Sequence, residues 1–147
     1  MKAAVLESIP GELEIQDIAI GEPGPREVLV RTVAAGLCHS DLHFMQGSLA
    51  GPMPTIPGHE PAGIVESVGP GVASVEPGDH VIACTSIFCG HCAQCLQGRP
   101  HLCTDRRASR RAKGDPPRIS WEGRELKQFA DLSGFSEYML VHERAVV

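Results

Sequence analysis

In Gly58-His59-Glu60-Pro61-Ala62-Gly63-Ile64-Val65-Glu66-Ser67-Val68-Gly69-Pro70-Gly71-Val72, two ligand-type residues run directly into a strand-like core. Its centre, Ala62 to Val68, is apolar and rich in β-branched residues, and Gly69-Pro70-Gly71 closes it with a tight turn. That pattern predicts a strand. Outward from it, Asp79 to Ile87 follows the turn signal Pro77-Gly78 and predicts a second strand. Upstream, Lys2 to Leu6, Leu13 to Ile20 with partial alternation, and Val28 to Ala34 after Gly21-Glu22-Pro23-Gly24-Pro25 read the same way. Phe135 to Val147 predicts a last strand-like segment. Ser40 to Gln46 lacks Gly and Pro and predicts one or two helical turns before Gly47, whereas Pro52, Pro54 and Pro57 keep the next stretch extended or turned.

Composition agrees with a mainly β chain. Sixteen Gly and twelve Pro spread over 147 residues suit short strands joined by many turns, and the length suits one domain, 1-147. Thirteen Lys plus Arg against 18 Asp plus Glu give a formal charge of −5, which argues against nucleic acid and anionic membrane as partners. No apolar run approaches the roughly 18 residues that span a bilayer. Glu7 interrupts the N-terminal apolar run before a secretion signal can form, so a soluble, cytoplasmic protein is expected.

Four of the six cysteines, Cys89, Cys92, Cys95 and Cys103, form C-x2-C-x2-C-x7-C in a segment, about 89–103, that loses all hydrophobic periodicity. Four thiolates at this spacing can close a tetrahedron around one zinc ion, and a site with four protein ligands is structural. The alternatives are two disulfides or a redox pair; three cysteines at successive x2 spacing are awkward to pair and natural to wrap around an ion. His91 and His101 read as exposed loop histidines beside this zinc lobe.

A second group of potential ligands is split between Gly36-Leu37-Cys38-His39-Ser40-Asp41-Leu42-His43 and Gly58-His59-Glu60. A β-fold can bring Cys38 and His59 together as half a zinc site. Taken singly, Cys38 reads as a core thiol, His59 as structural, Ser40 as an N-cap, His43 as a surface residue and Glu60 as a loop-surface carboxylate.

Together these motifs resemble the medium-chain, zinc-dependent alcohol dehydrogenases. Their signature G-H-E-x2-G-x5-[GA]-x2-[IVSAC] is met by Gly58, His59, Glu60, Gly63, Gly69 and Val72. Cys38-His39-Ser40-Asp41, the four-cysteine lobe and Phe135-Ser136-Glu137-Tyr138 follow in family order. The resemblance implies a GroES-like, partly open β-barrel with few short helices and a zinc-binding lobe. It implies a catalytic zinc on Cys38, His59 and a further Cys beyond Val147, with Glu60 behind the metal and able to coordinate transiently. Asp41 would orient His59, Ser40 and His43 would form a proton relay, and His39 and His43 would contact the cofactor. His39 departs from the Arg of many members. Cys84, the one cysteine left over, is a conceivable substitute ligand, but in family order it falls near the substrate pocket, and it reads as a buried strand thiol.

The implied activity is oxidation of alcohols to aldehydes or ketones, and the reverse, with hydride transfer to NAD or NADP in a full-length homo-oligomer. No G-x-G-x-x-G follows a strand and no strand–helix alternation builds a nucleotide-binding Rossmann domain, so the hydride acceptor has no site in this sequence. The sequence also stops inside the apolar run Arg144-Ala145-Val146-Val147, which reads as an incomplete chain, expected to be inactive alone. A non-enzymatic zinc-stabilised scaffold is the alternative, and a zinc-free quinone reductase relative is disfavoured by Cys38, His59 and the lobe. Five cations in eight residues, Arg106, Arg107, Arg110, Arg111 and Lys113, read as a solvated loop because the chain is acidic and aromatic residues are not interleaved.

Overall fold

The computed structural model describes residues 1–105, 111 and 114–147. Its strands are β1 (Lys2–Leu6), β2 (Leu13–Asp17), β3 (Ala19–Ile20), β4 (Glu27–Ala35), β5 (Thr55–Ile56), β6 (Pro61–Val68), β7 (His80–Ile82), β8 (Ile119–Trp121), β9 (Arg124–Glu125), β10 (Lys127–Gln128) and β11 (Tyr138–His142). Two short helices, α1 (His39–Met45) and α2 (Ala93–Leu96), join them. The architecture is mainly β with few helices, as the sequence predicts.

The strands form three open sheets, ordered β11-β4-β6-β7, β10-β5-β1-β2 and β3-β8-β9. In the first, β4 pairs antiparallel with β11, setting Val28 opposite Val141 and Val30 opposite Met139. These four side chains join Val65, Val81, Ile87, Leu132, Ala145 and Val146 in one core. Complete burial of an aliphatic side chain of this size contributes roughly 1.5–3 kcal/mol. A second core, of Ala3, Val5, Ile18, Ile56, Ile119 and Leu126, lies under the other two sheets.

The β4–β6 ladder positions the site. Its register shifts between Leu29 and Val30 and again between Thr32 and Ala34, irregularities that bend a strand. It closes with Ala35 opposite Pro61, and Gly36 N–H donates to Glu60 O at 3.0 Å. The segment leaving β4 and the segment entering β6 therefore emerge side by side from one end of the sheet.

Buried ion pairs tie distant segments to this frame. Glu27, 3% exposed, accepts from Arg111 Nε at 3.1 Å, from Arg118 Nε at 2.7 Å and from Gly24 N–H at 2.8 Å. Burial works against its charge, but the two guanidiniums and the Gly24 N–H outweigh it and hold the carboxyl below its usual range. Glu143 is likewise buried, pairing with Arg26 and accepting from Ala73 N–H at 3.1 Å. Arg144 attaches the cysteine lobe. Its guanidinium stacks 5.0 Å from the Phe88 ring centre and donates to Phe88 O at 3.0 Å. Gly90 leaves room for it, since a Cβ there would stand 2.6 Å from Arg144 Nη1.

Several expectations need correction. Leu13 to Ile20 is two strands broken at Ile18, which is buried and bonds through its N–H to Met1 O at 2.8 Å, turning the chain from one sheet to another. The run Asp79 to Ile87 shortens to His80–Ile82. Beyond a bridge at Ala83 the backbone leaves the sheet, so Cys84 is exposed rather than a buried strand thiol, its N–H held by Ala145 O at 2.7 Å. Between the cysteine lobe and Phe135, where the sequence predicts no strand, the chain forms β8, β9 and β10. Phe135 to Val147 is a strand only over Tyr138–His142, followed by a 3-10 turn, Glu143–Ala145. Of the basic run, Arg106, Arg107, Arg110 and Lys113 lie outside the described residues. Arg111 is clamped on Glu27 rather than solvated, its side chain only 17% exposed.

Candidate functional site

The lobe folds around its sulfurs. Cys92 caps α2, and a 3-10 turn at Pro100–Leu102 brings Cys103 back. Sulfur–sulfur distances are 3.5 Å for Cys92–Cys95 and 3.9 Å for both Cys89–Cys95 and Cys92–Cys103, and all four Sγ atoms lie within 4.8 Å of one another. A tetrahedral zinc with bonds of about 2.3 Å needs sulfurs about 3.8 Å apart, whereas a disulfide needs about 2.05 Å. The spacing fits a metal. Backbone N–H groups of Cys89, His91 and Cys92 already point at sulfur, at 3.2, 3.4 and 3.2 Å.

The thiols are unequal. N–H groups of Cys95 and Thr104 lower the Cys92 thiol to about 5, while burial pushes Cys95 up to about 11. A divalent cation among them favours the thiolate form of its sulfur ligands, so binding opposes the rise at Cys95. His91 is a loop residue, its side chain 69% exposed with Nε2 3.6 Å from Asp105, and His101 is exposed. Neither histidine belongs to the sulfur cluster.

At the end of the β4–β6 ladder, Cys38, His59 and Glu60 present ligand atoms within 4.8 Å of one another. Asp41 organises them from behind. Its buried carboxylate accepts from Cys38 N–H at 3.1 Å, Gly58 N–H at 3.3 Å and His59 Nδ1 at 3.3 Å. An ionised carboxylate only accepts, so His59 carries its proton on Nδ1 and leaves the Nε2 lone pair free for a metal. Gly58 makes the approach possible: its φ is +88°, and a Cβ would meet Phe135 Cδ1 at 2.5 Å and Phe135 N at 2.6 Å.

Ser40 sits at the focus. Its Oγ lies 3.1 Å from Cys38 Sγ and 3.3 Å from His59 Nε2. It is not the N-cap of α1; Cys38 is, with Asp41 reaching back to its N–H. His39 and His43 pack edge to face on α1 with ring centres 4.3 Å apart. Among the described residues, no hydrogen bond joins His43 to Ser40. Sequence reasoning missed Phe129, whose ring meets His59 edge-on at 5.3 Å and Phe44 at 4.8 Å. Only its membership of a small set of four Phe pointed to it.

Comparison with known proteins supplies the family. Residues 24–147 match the alcohol dehydrogenase GroES-like domain. The chain is 41% identical over 149 residues to an NDMA-dependent alcohol dehydrogenase of Amycolatopsis methanolica, covering 99% of this chain and 40% of that protein. In structure it resembles an alcohol dehydrogenase zinc-binding domain protein of Burkholderia ambifaria, with a TM-score of 0.86, 37% identity, and coverage of 99% and 40%. It also resembles benzyl alcohol dehydrogenase of Acinetobacter calcoaceticus, with a TM-score of 0.81, 34% identity, and the same coverage. The chain thus spans 40% of the length of these relatives.

Proposed function

We propose, from the premise that this chain belongs to the alcohol dehydrogenase GroES-like domain family, that it is the zinc-holding, substrate-facing part of an alcohol dehydrogenase. In a protein of its relatives' length, the reaction would be oxidation of a small alcohol to an aldehyde or ketone, and the reverse, with hydride passing to or from NAD or NADP. Cys38 and His59, with Glu60 beside them, would hold an accessible zinc together with a ligand from outside this chain. Cys89, Cys92, Cys95 and Cys103 would hold a closed one. The observation that carries this reading is the convergence of Cys38, His59 and Glu60 from two separate segments onto one point, backed by the triply bonded Asp41.

Zinc in an open site supplies a Lewis acid that lowers the pKa of a bound hydroxyl. The chain's own residues do the rest. Asp41 fixes the His59 tautomer and ring angle, and Phe129 packs against the ring. The Ser40 hydroxyl, equidistant within 0.2 Å from the two ligand atoms, can accept a proton from an alcohol at that point and pass one on. His43 and His39 continue the polar path along α1 and would meet the cofactor. Among the described residues no helix is long and apolar enough to cross a membrane.

Metal analysis tests the assignment. The chain should carry two zinc ions, Cys38→Ser should lose one and Cys89→Ser the other. Joined to a nucleotide-binding domain it should reduce nicotinamide cofactor in the presence of alcohol, and alone it should not. Robust turnover by the 147-residue chain, or zinc content indifferent to Cys38, would overturn the proposal.

A further inference from the structure

We propose that Gln128 is a positioning residue for His59, acting through Phe129: its side-chain amide holds the turn 129–133 closed, and the closed turn keeps the Phe129 ring against the imidazole. Asp41 alone does not immobilise that imidazole. It grips one atom, Nδ1, at 3.3 Å, and a ring held at one atom can still swing about that bond. A second contact elsewhere on the ring fixes its plane, and Phe129 supplies it, edge-on with ring centres 5.3 Å apart. The same Phe129 ring lies 4.8 Å from that of Phe44, which is buried on α1. Phe129 is therefore wedged between the helix and the entry to β6.

The turn is anchored at both ends on the segment that carries His59. Gln128 pairs with Ile56 in the parallel β5–β10 ladder, and Gly134 and Phe135 donate their N–H groups to Gly58 O at 2.8 Å and Pro57 O at 3.1 Å. Between these anchors Ala130 and Asp131 are both left-handed, with φ of 56° and 59°, a conformation that a Cβ disfavours and that persists only where the surroundings impose it. Leu132, buried in the main core, imposes one constraint. Gln128 imposes the other. Its Nε2 donates across the mouth of the turn to Ser133 Oγ at 3.3 Å and into β11 to Leu140 O at 3.1 Å. A backbone carbonyl only accepts, so the amide nitrogen must face Leu140, and a side chain unable to donate loses the staple. The inference deepens the reading of Cys38 and His59 as an open metal site, while the ring contact itself can be judged apart from that reading.

Nuclear Overhauser contacts in the zinc-loaded 147-residue chain test the ring contact. Zinc competition with a chromophoric chelator tests its consequence, with the four-cysteine site as internal reference. The parent should show the Phe129 and His59 rings in contact. Gln128→Met, equal in length but unable to donate, should lose that contact while Val30 and Met139 keep theirs, and should weaken zinc at the Cys38 site about tenfold. Phe129→Leu should weaken zinc similarly, and adding Gln128→Met to it should weaken zinc no further, because the two side chains act as one unit. A residue that merely stabilised the fold would give additive losses. Should Gln128→Met not fold, Gln128→Glu, which keeps the shape and turns an oxygen toward Leu140 O, takes its place. Absence of the ring contact in the parent, its persistence in a folded Gln128 variant, or additive losses in the double variant overturns the proposal. Zinc binding indifferent to Cys38→Ser would instead refute the metal-site reading and leave the ring contact to decide this one.

Discussion

Replacing Asp41 by Asn preserves the side chain's size while removing its charge and one of its two acceptors. In the parent, one oxygen takes Gly58 N–H and His59 Nδ1 at 3.3 Å each and the other takes Cys38 N–H at 3.1 Å. The single carbonyl of Asn serves one side only. Kept toward Gly58 and His59, it turns its NH2 against the Cys38 N–H, so two donors face each other at a residue only 4% exposed. Losing a charge-assisted bond and stranding a buried donor costs about 2–3 kcal/mol. At about 2–4 °C per kcal/mol for a chain of this length, the melting temperature should fall by roughly 4–12 °C. Loss of the carboxylate behind His59 should also weaken zinc at the Cys38 site about 10- to 100-fold. Competition with a chromophoric chelator measures this, with the four-cysteine site as internal reference. An Asp41→Asn chain that melts and binds zinc like the parent would show that the Asp41 carboxylate does not organise the site.

Three further outcomes are expected. Gly58→Ala should destabilise by about 2–4 kcal/mol, because a positive φ and a 2.5 Å clash with Phe135 act together, and calorimetry should show it alongside reduced metal at the open site. Stability should decline in two steps as pH falls. Burial keeps His142 neutral and lowers it from 6.5, so its contribution is complete above 6.5 and fades below it; Glu27, held under 4.5 despite burial by Arg111 and Arg118, loses its contribution below 4.5. Melting followed from pH 8 to 3 checks both, and Glu27→Gln should cost about 2–3 kcal/mol at neutral pH and flatten the lower step. Cys103→Ser should leave 89–103 unprotected in hydrogen exchange while Val30 and Met139, in the core sheet, stay protected.

What the sequence revealed depended on how local the cause was. β4 and β6 were legible because a Gly- and Pro-rich turn bounds each β-branched run, Gly21 to Pro25 before β4 and Gly69-Pro70-Gly71 after β6, and the lobe was legible because cysteine spacing alone limits what the sulfurs can do. β5, β8, β9 and β10 were not: each is two or three residues long, and β5 and β10 pair in parallel across 72 residues, Thr55 with Lys127. Such strands are held by partners, not by their own pattern. The strand over Asp79 to Ile87 was overextended because its apolar residues serve a core contact at Ile87 after leaving the ladder. Cys38, His59 and Glu60 were readable as ligand types, but the three donors on Asp41 and the ring of Phe129 against His59 exist only once β4 and β6 are in register.

The Arg144 latch has a mechanical meaning. The lobe leaves the barrel as an outrigger whose root is gripped by a guanidinium from the strap after β11, while the exposed Leu96 and Leu102 ride farther along it. Because that grip is one cation–ring contact and one hydrogen bond to Phe88, the root of the lobe and the turn that follows β11 are fixed to each other at a single side chain.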